Sequence, residues 1–330
     1  MKITILGAGS FGTAMAKQLA DCGHEILLWT NDREQCGAVN KTRRNSFCFQ
    51  ETELPETIAC TLDIAEALGF SDKVICAVPT QAVRSVLEQT VSVKTGFHML
   101  SLAKGIEIAS GKLLHEIHAE ITPDNVYSVL SGPSHAEELL AGCPTTVALA
   151  SEKKSEAAMW QELLSGGRFR IYTSDDVTGL EVGGALKNIY AIAAGIISAL
   201  RLGDNASAAL ACRGLAEMMR FGQKLGAKPI TLAGLAGVGD LMVTCCSLHS
   251  RNFRLGLKIG GGLDFETAVK EIGQVAEGAY TVRAVVENSR KYNVEMPLAE
   301  GIYSILYKGI SPEALLERYF ARPLKKELDF

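Results

Sequence analysis

The stretch Lys2-Ile-Thr-Ile-Leu-Gly-Ala-Gly-Ser-Phe-Gly12 decides how the first half of the chain folds. Lys2 to Leu6 reads as a short strand, and Ala14, Met15, Leu19 and Ala20 continue beyond it at helical spacing. The glycines between them form G-x-G-x-x-G with a strand before and a helix after, the context that gives this pattern meaning. Gly7 permits the tight turn, Gly9 lets backbone approach a pyrophosphate, and Gly12 allows close helix–strand packing. The phosphates would sit on the exposed N–H groups and positive dipole of the helix N-terminus, with Ser10 as a phosphate-facing backbone donor. Ala8-Gly-Ser-Phe-Gly12 also mimics a hydrolase nucleophile elbow, but it lies on the first strand and no Asp/His pair is marked as its partners.

Glu25-Ile-Leu-Leu-Trp29 reads as the second strand and ends in Thr30-Asn31-Asp32-Arg33. Asp32 lies about twenty residues beyond the third glycine, where an acidic group takes the adenosine ribose hydroxyls. Arg33 beside it could instead receive a 2′-phosphate, so NAD and NADP both stay open. Equally, Asp32 could be a helix N-cap beside a solvated Arg33. Four further runs, Lys73–Val78, Phe97–Leu100, Val126–Leu130 and Thr145–Leu149, are short, apolar and strand-like, and Arg168–Tyr172 reads as the last strand. With helical segments between them they predict a doubly wound sheet. Two strand ends carry polar signatures, Ser101-Leu-Ala-Lys-Gly105 and Ser131-Gly-Pro-Ser-His-Ala136. Ligands of open α/β sheets bind outside the carboxyl ends of the strands, which places Lys104 and Ser134 toward the cofactor. The alternatives are a solvated lysine before a turn glycine and a serine N-cap after proline.

The alternation stops at Thr178, where Thr178 and Glu181 have capping-box spacing at the head of a helix running toward Leu200. Ile189, Ile192, Ile196 and Leu200 make one face bulky, while Gly184, Lys187, Ala191 and Gly195 make the other small except for one amine. Each interior glycine costs about 1 kcal/mol relative to alanine, so Gly183-Gly184 needs a reason in packing or access. Either the small residues keep the floor of a cleft low beneath Lys187, or they serve a tight helix pair with Lys187 snorkelling to solvent. Mainly helical patterns follow, including 206–225, 265–271, 279–292 and 312–319. The chain thus divides into an α/β domain at 1–177 and an all-α domain at 178–330.

Composition narrows the function. At 330 residues, 47% hydrophobic and 21% charged, the chain has the make-up of a soluble globular protein. A formal net charge of −4 argues against nucleic acid or an anionic membrane as the main partner. Met1-Lys2 leads directly into a strand pattern, with no secretory leader expected, and the apolar run Ile189–Leu200 is too short to span a bilayer. Nine cysteines with no C-x-x-C pair predict reduced, mostly buried thiols; adjacent Cys245-Cys246 would make only a strained disulfide. His115-Glu-Ile-His118 lacks the H-E-x-x-H spacing and a third ligand, so no metal is expected.

In the second half, Gly234-Leu-Ala-Gly-Val-Gly-Asp240 reads as a glycine-rich turn delivering an aspartate, with an N-cap as its plainer role. Ser250 could cap a helix starting at Arg251, and a helix N-terminus presenting Ser250, Arg251 and Asn252 is a phosphate site with free N–H groups and a guanidinium fork. A solvated basic helix start is the alternative. Gln274-Val-Ala-Glu-Gly278 reads as a loop from which Glu277 could reach a ribose or amide.

Taken together, GAGSFGTA, AVPT, KGIE, LSGPSHAEE, EVGGALKN, GDNA, CRGLAE, AGVGDLMVTC, HSRN and VAEG, in this order, resemble bacterial-type NAD(P)-dependent glycerol-3-phosphate dehydrogenase over nearly the whole chain. The resemblance implies a Rossmann-like doubly wound domain followed by an α-helical substrate and dimerisation domain, in a cytoplasmic homodimer. It implies reduction of dihydroxyacetone phosphate, a phosphorylated triose, to sn-glycerol 3-phosphate for glycerophospholipid synthesis. Carried over by motif, Lys187 is the proton donor or acceptor, assisted by Lys104 and Asp240. Cofactor contacts fall on Gly7, Gly9, Ser10, Phe11, Gly12, Asn31, Asp32, Lys104, Ala136, Arg251, Val275 and Glu277. The substrate site takes in Lys104, Gly132, Ser134, Lys187, Asp240, Ser250, Arg251 and Asn252, supported by Asn188 and Thr244. Phe11 replaces the Trp or Tyr of many relatives and preserves stacking, whereas Asn31-Asp32 replaces the His-Arg of some. Burial, Lys104 and the oxidised nicotinamide's charge are expected to lower the Lys187 pKa from its free value of about 10.4, with Asp240 limiting the shift.

Overall fold

The computed structural model describes residues 1–324 and 326–327, so Lys325 and the last three residues of the second expected domain lie outside the described residues. Two compact units emerge: Met1–Lys104 with Lys112–Glu181, and Gly105–Gly111 with the chain from Val182 onward.

The first unit is built on one eight-stranded sheet in the order β3-β2-β1-β4-β5-β6-β7-β8. Its strands are β1 (Lys2–Leu6), β2 (Glu25–Trp29), β3 (Ile58–Thr61), β4 (Lys73–Cys76), β5 (His98–Ser101), β6 (Val126–Ser131), β7 (Thr145–Ser151) and β8 (Phe169–Ser174). Register runs Lys2 to Glu25 on one side of β1 and Thr4 to Val74 on the other, so the strand order turns back at β1 and β4. Parallel strands buried on both faces carry near-continuous apolar runs, as in Ile-Leu-Leu of β2 and Val-Ile of β4. Helices Ser10–Asp21 and Lys154–Leu164 supply Met15, Leu19, Trp160 and Leu164 to the core on one side, and Val83–Val91 supplies Val86 and Leu87 to the other cluster.

Two features of the sheet depart from the sequence expectation. Edge strand β3 has only four residues and no alternation to announce it, lying between Pro55 and the Asp63 cap of the next helix. β7 runs antiparallel to β6, with Leu130 opposite Leu149. The link between them holds only the short helix Ala136–Leu140, too little for an ordinary parallel crossover.

The second unit is helical. Its chain order is Asp204–Lys224, Pro229–Leu232, a π-helical turn Leu235–Gly239 running directly into Asp240–Cys245, then Arg251–Gly260, Phe265–Ile272, Glu277–Lys291, Pro297–Lys308 and Pro312–Phe320. It opens with the continuation of Val177–Ala199, the one helix among the described residues long and apolar enough to cross a membrane, and that helix is buried within the fold. Glu217 ties two helices together. Its carboxylate accepts from the N–H groups of Leu298 (2.6 Å) and Ala299 (3.2 Å), which open the Pro297 helix, and from Tyr190 Oη (3.1 Å). Those N–H groups have no intrahelical partner, so a buried acid satisfies them.

The head of the Val177 helix differs from the expected capping box. Asp176 Oδ1 accepts from Gly179 N–H at 2.8 Å and takes the cap one residue before the helix begins. Glu181 instead accepts from the His115 backbone N–H (3.0 Å), His115 Nδ1 (2.7 Å) and Tyr127 Oη. Local spacing suggested one partner for Glu181, and the tertiary fold supplies three others.

Candidate functional sites

In the first unit, Gly7 lies at the end of β1 with φ +114°, and a Cβ there would lie 2.8 Å from the Ala77 carbonyl carbon and the Val78 nitrogen. A Cβ on Gly12 would lie 2.1 Å from the Gly7 oxygen. Both positions exclude a side chain because backbone meets backbone at the point where strand order reverses. Gly9 is the opposite case: it is exposed, and a Cβ there meets no atom within 4 Å. It precedes helix Ser10–Asp21 and no side chain caps that helix, so its first-turn N–H groups look out past Gly9, with Ser10 and Phe11 half-buried beside them. Two crowded glycines and one open one fit the pyrophosphate of a dinucleotide.

Beyond β2, Asp32 caps helix Arg33–Thr42, its Oδ1 accepting from Gln35 N–H at 2.8 Å. Asn31 and Arg33 beside it are exposed. At the ends of β5 and β6, Lys104 Nζ (3.0 Å) and Ser134 Oγ (2.9 Å) both donate to the Gly132 carbonyl, where the backbone has φ +134°. Lys104, Gly132 and Ser134 are thus brought together. Lys104 is half-buried rather than solvated, and His135, not Ser134, is the residue before the Ala136 helix. Ala136 itself is buried in the core.

In the second unit, Lys187 Nζ lies 2.5 Å from Asp240 Oδ1 and 2.9 Å from Thr244 Oγ1. Asp240 and Thr244 stand one turn apart on one helix, and the Thr244 hydroxyl also donates to the Asp240 carbonyl at 2.6 Å. All three residues are buried. The π-helical turn Leu235–Gly239 places Asp240 inside a continuing helix with non-capping backbone geometry, so it faces Lys187 and is neither an N-cap nor the end of a loose turn. Asn188, the next residue, accepts through Oδ1 from Asn252 Nδ2 at 2.9 Å, and Asn252 Oδ1 accepts from Gly278 N–H at 2.9 Å. The Asn252 amide therefore links the Lys187 helix to the Glu277 helix. Ser250 caps the Arg251 helix, accepting from Phe253 N–H at 3.2 Å, with Arg251 half-buried on its first turn. Val275 is exposed ahead of the half-buried Glu277.

The bare face of the Lys187 helix combines the two readings of the sequence. A Cβ on Gly195 would lie 2.1 Å from the Phe253 oxygen, and one on Gly256 would lie 2.0 Å from the Ile192 oxygen. A Cβ on Gly183 would lie 2.3 Å from the Ala236 oxygen. At Gly183 and Gly195 the small residues serve tight helix packing, the second of the two alternatives. Lys187, however, does not snorkel; it is held inside by Asp240 and Thr244.

His115 and His118 have structural partners. Burial opposes charge on His115, but the hydrogen bond and charge of Glu181 outweigh it and hold its pKa above the usual value. Burial pushes His118, whose ring lies 4.9 Å from that of Tyr127, down to about 4. None of the nine cysteines forms a disulfide, and only Cys36, Cys60, Cys76 and Cys245 are buried, fewer than the sequence led one to expect. Sequence reading passed over Thr13, Gln35 and Asn45, which hold the carbonyl of Ala8 inside the glycine loop. No spacing rule joins positions so far apart.

A glycine loop at the turning point of a mostly parallel sheet, followed by a helical unit carrying a buried lysine–carboxylate pair, defines a two-unit dinucleotide-dependent dehydrogenase. Two family profiles match the chain, described as the N-terminus of NAD-dependent glycerol-3-phosphate dehydrogenase over residues 2–157 and its C-terminus over residues 176–317. Glycerol-3-phosphate dehydrogenase (NAD(P)+) of Lysinibacillus sphaericus is 43% identical over 333 residues, spanning 99% of this chain and 98% of the relative. The Staphylococcus aureus enzyme of the same name is 44% identical over 99% of each chain. The crystal structure of glycerol-3-phosphate dehydrogenase from Coxiella burnetii superposes with a TM-score of 0.94 at 37% identity, covering 97% of this chain and 99% of that one. D-mandelate dehydrogenase, at 16% identity and a TM-score of 0.61, shares the fold alone. The chain belongs to the NAD-dependent glycerol-3-phosphate dehydrogenase family and is an oxidoreductase working with NAD or NADP.

Proposed function

We propose that this enzyme reduces dihydroxyacetone phosphate to sn-glycerol 3-phosphate with Lys187 as the proton donor, and that it runs the reverse reaction with Lys187 as acceptor. The observation that carries this reading is the buried Lys187 ammonium, fixed at 2.5 Å from Asp240 and 2.9 Å from Thr244. The hydride for the C2 carbonyl carbon would come from a nicotinamide cofactor held at the Gly7–Gly12 loop. Lys187 protonates the oxygen on which negative charge develops, and Asp240 and Thr244 hold the amine in one rotamer for that transfer. Arg251 and the N–H groups opening its helix hold the substrate phosphate, using binding energy remote from the reacting carbon to orient the carbonyl. Because the Asn252 side chain is taken up by Asn188 and Gly278, Asn252 serves the phosphate through its backbone. Lys104, Gly132 and Ser134 are likewise assigned to the substrate contacts.

We assign residues 1–177 to the dinucleotide and 178–330 to the substrate and to a homodimer contact. The pyrophosphate belongs on Gly7, Gly9, Ser10 and Gly12, with Phe11 stacking, Asn31 and Asp32 near the adenosine ribose, and Ala136, Arg251, Val275 and Glu277 as further cofactor contacts. A cytoplasmic enzyme of this activity would feed glycerophospholipid synthesis. The test is a spectrophotometric assay with dihydroxyacetone phosphate against NADH and NADPH in turn. Oxidation of either that requires this substrate, and is lost in Lys187→Ala, supports the reading; unchanged turnover in Lys187→Ala overturns the role of Lys187.

A further inference from the structure

The Ala8 carbonyl, inside the glycine loop, accepts three side-chain hydrogen bonds, from Gln35 Nε2 (2.7 Å), Asn45 Nδ2 (2.8 Å) and Thr13 Oγ1 (3.2 Å). A buried carbonyl is satisfied by one or two donors, and here three converge from separate parts of the sequence. The donors are themselves held. Thr30 Oγ1 donates to Gln35 Oε1 at 2.7 Å, and Asn45 Oδ1 accepts from Gln35 Nε2 (3.2 Å) and Phe47 N–H (3.1 Å). Thr13, Gln35 and Asn45 are all buried.

A trans peptide is rigid, and its C=O and N–H point in opposite directions. Pinning the Ala8 oxygen inward therefore aims the Gly9 N–H outward, to the side where Gly9 is exposed and a Cβ would meet nothing within 4 Å. We propose that Gln35, supported by Thr30, Asn45 and Thr13, is a positioning residue that presets the Ala8–Gly9 peptide so that its N–H meets the cofactor pyrophosphate. Gln35 has a second connection of the same kind, because its own backbone N–H is held by the Asp32 carboxylate at 2.8 Å. One residue, through its backbone N–H and its side chain, thus couples the acidic position after β2 to the phosphate loop. The inference rests on the proposed seating of the pyrophosphate at Gly7–Gly12.

The test compares ADP-ribose, which carries the pyrophosphate, with adenosine, which does not. Gln35→Met keeps length without a donor, and Thr30→Val leaves the Gln35 amide free to turn. Titration of the full-length variants, by calorimetry for ADP-ribose and saturation-transfer NMR for adenosine, should show ADP-ribose binding weakened by about tenfold in Gln35→Met, the worth of one well-made hydrogen bond, and by less in Thr30→Val. Adenosine binding should move less than about twofold on the same scale. Equal weakening of both ligands, or of neither, overturns the positioning role. Gly9→Val separates the two layers: ADP-ribose affinity that survives it refutes the seating itself, whereas affinity lost there and retained in Gln35→Met refutes only the orientation of the peptide.

Discussion

Lys187 and Asp240, 53 residues apart in sequence, form a buried ion pair with 2.5 Å between nitrogen and oxygen. Taking two charges out of water is unfavourable, and removing one partner of such a pair costs on the order of 3–5 kcal/mol because the other is left uncompensated. Asp240→Ala should accordingly lose stability in denaturant titration by that order, and Lys187→Met combined with Asp240→Asn should lose less than Asp240→Ala. An additive outcome would show that the two charges do not depend on each other.

Asp240→Asn should also move the pH profile. A carboxylate beside an ammonium favours the charged form, so its removal lowers the lysine pKa. With Lys187 as the proposed proton donor, reduction would need it protonated, hence the fall of kcat on the alkaline side should begin at lower pH in the variant. A profile that stays in place would show that Lys187 is not the titrating group.

Arg251→Ala should raise KM for dihydroxyacetone phosphate by one to two orders of magnitude, roughly the loss of a charge-assisted hydrogen bond. Activity with unphosphorylated dihydroxyacetone should hardly change. If both substrates suffer alike, Arg251 does not hold the phosphate.

Two buried groups give opposite pH dependences of stability. Burial lowers His118 to about 4 in the folded chain, so its contribution is full above the unfolded value of about 6.5 and is lost as pH falls toward 4. Burial raises Glu217 to about 7, against the backbone N–H groups of Leu298 and Ala299 and the Tyr190 hydroxyl, which lower it. Its contribution is full below the unfolded value of about 4.3 and is lost as pH rises toward 7, by an amount on the order of 3 kcal/mol. Between the two unfolded values the slopes oppose each other. Glu217→Gln should remove only the loss on the alkaline side, making stability rise from pH 5 to 7, as read by urea unfolding across that range. A variant whose slope matches the parent would show that Glu217 does not titrate there.

Gly195→Ala and Gly37→Ala, identical changes inside helices, should have opposite signs. At Gly37 a Cβ meets nothing within 4 Å, so alanine should stabilise by up to about 1 kcal/mol through backbone entropy. At Gly195 the new carbon would lie 2.1 Å from the Phe253 oxygen, so the variant should melt several degrees lower. Equal shifts in thermal unfolding would remove the packing explanation.

What could be read from the sequence was what depends on neighbours along the chain. The strand–glycine–helix opening and the Ser250 cap are fixed within a few residues, and both stand as read. Strand β3 was missed because four residues at a sheet edge carry no periodicity. The Thr178–Glu181 pattern was misleading for a different reason: Asp176 reaches the first turn, and Glu181 finds His115 and Tyr127 from distant segments. The small face of the Lys187 helix was visible, but whether a ligand or another backbone lay against it depends on the Arg251 helix some sixty residues later. Gln35 and Asn45 gave no signal at all, since their target is a main-chain carbonyl.

The interlocked glycines of the Lys187 and Arg251 helices have a consequence for selectivity. Gly195 and Gly256 set carbonyl against α-carbon, so sliding one helix by a single residue, about 1.5 Å, would drive backbone into backbone. With the roles proposed for them, the proton donor on one helix and the phosphate clamp heading the other are mounted on a single stiff beam. Such a beam acts as a ruler, admitting substrates by the span between phosphate and carbonyl, and a ketose phosphate one carbon longer should find one end seated and the other out of reach.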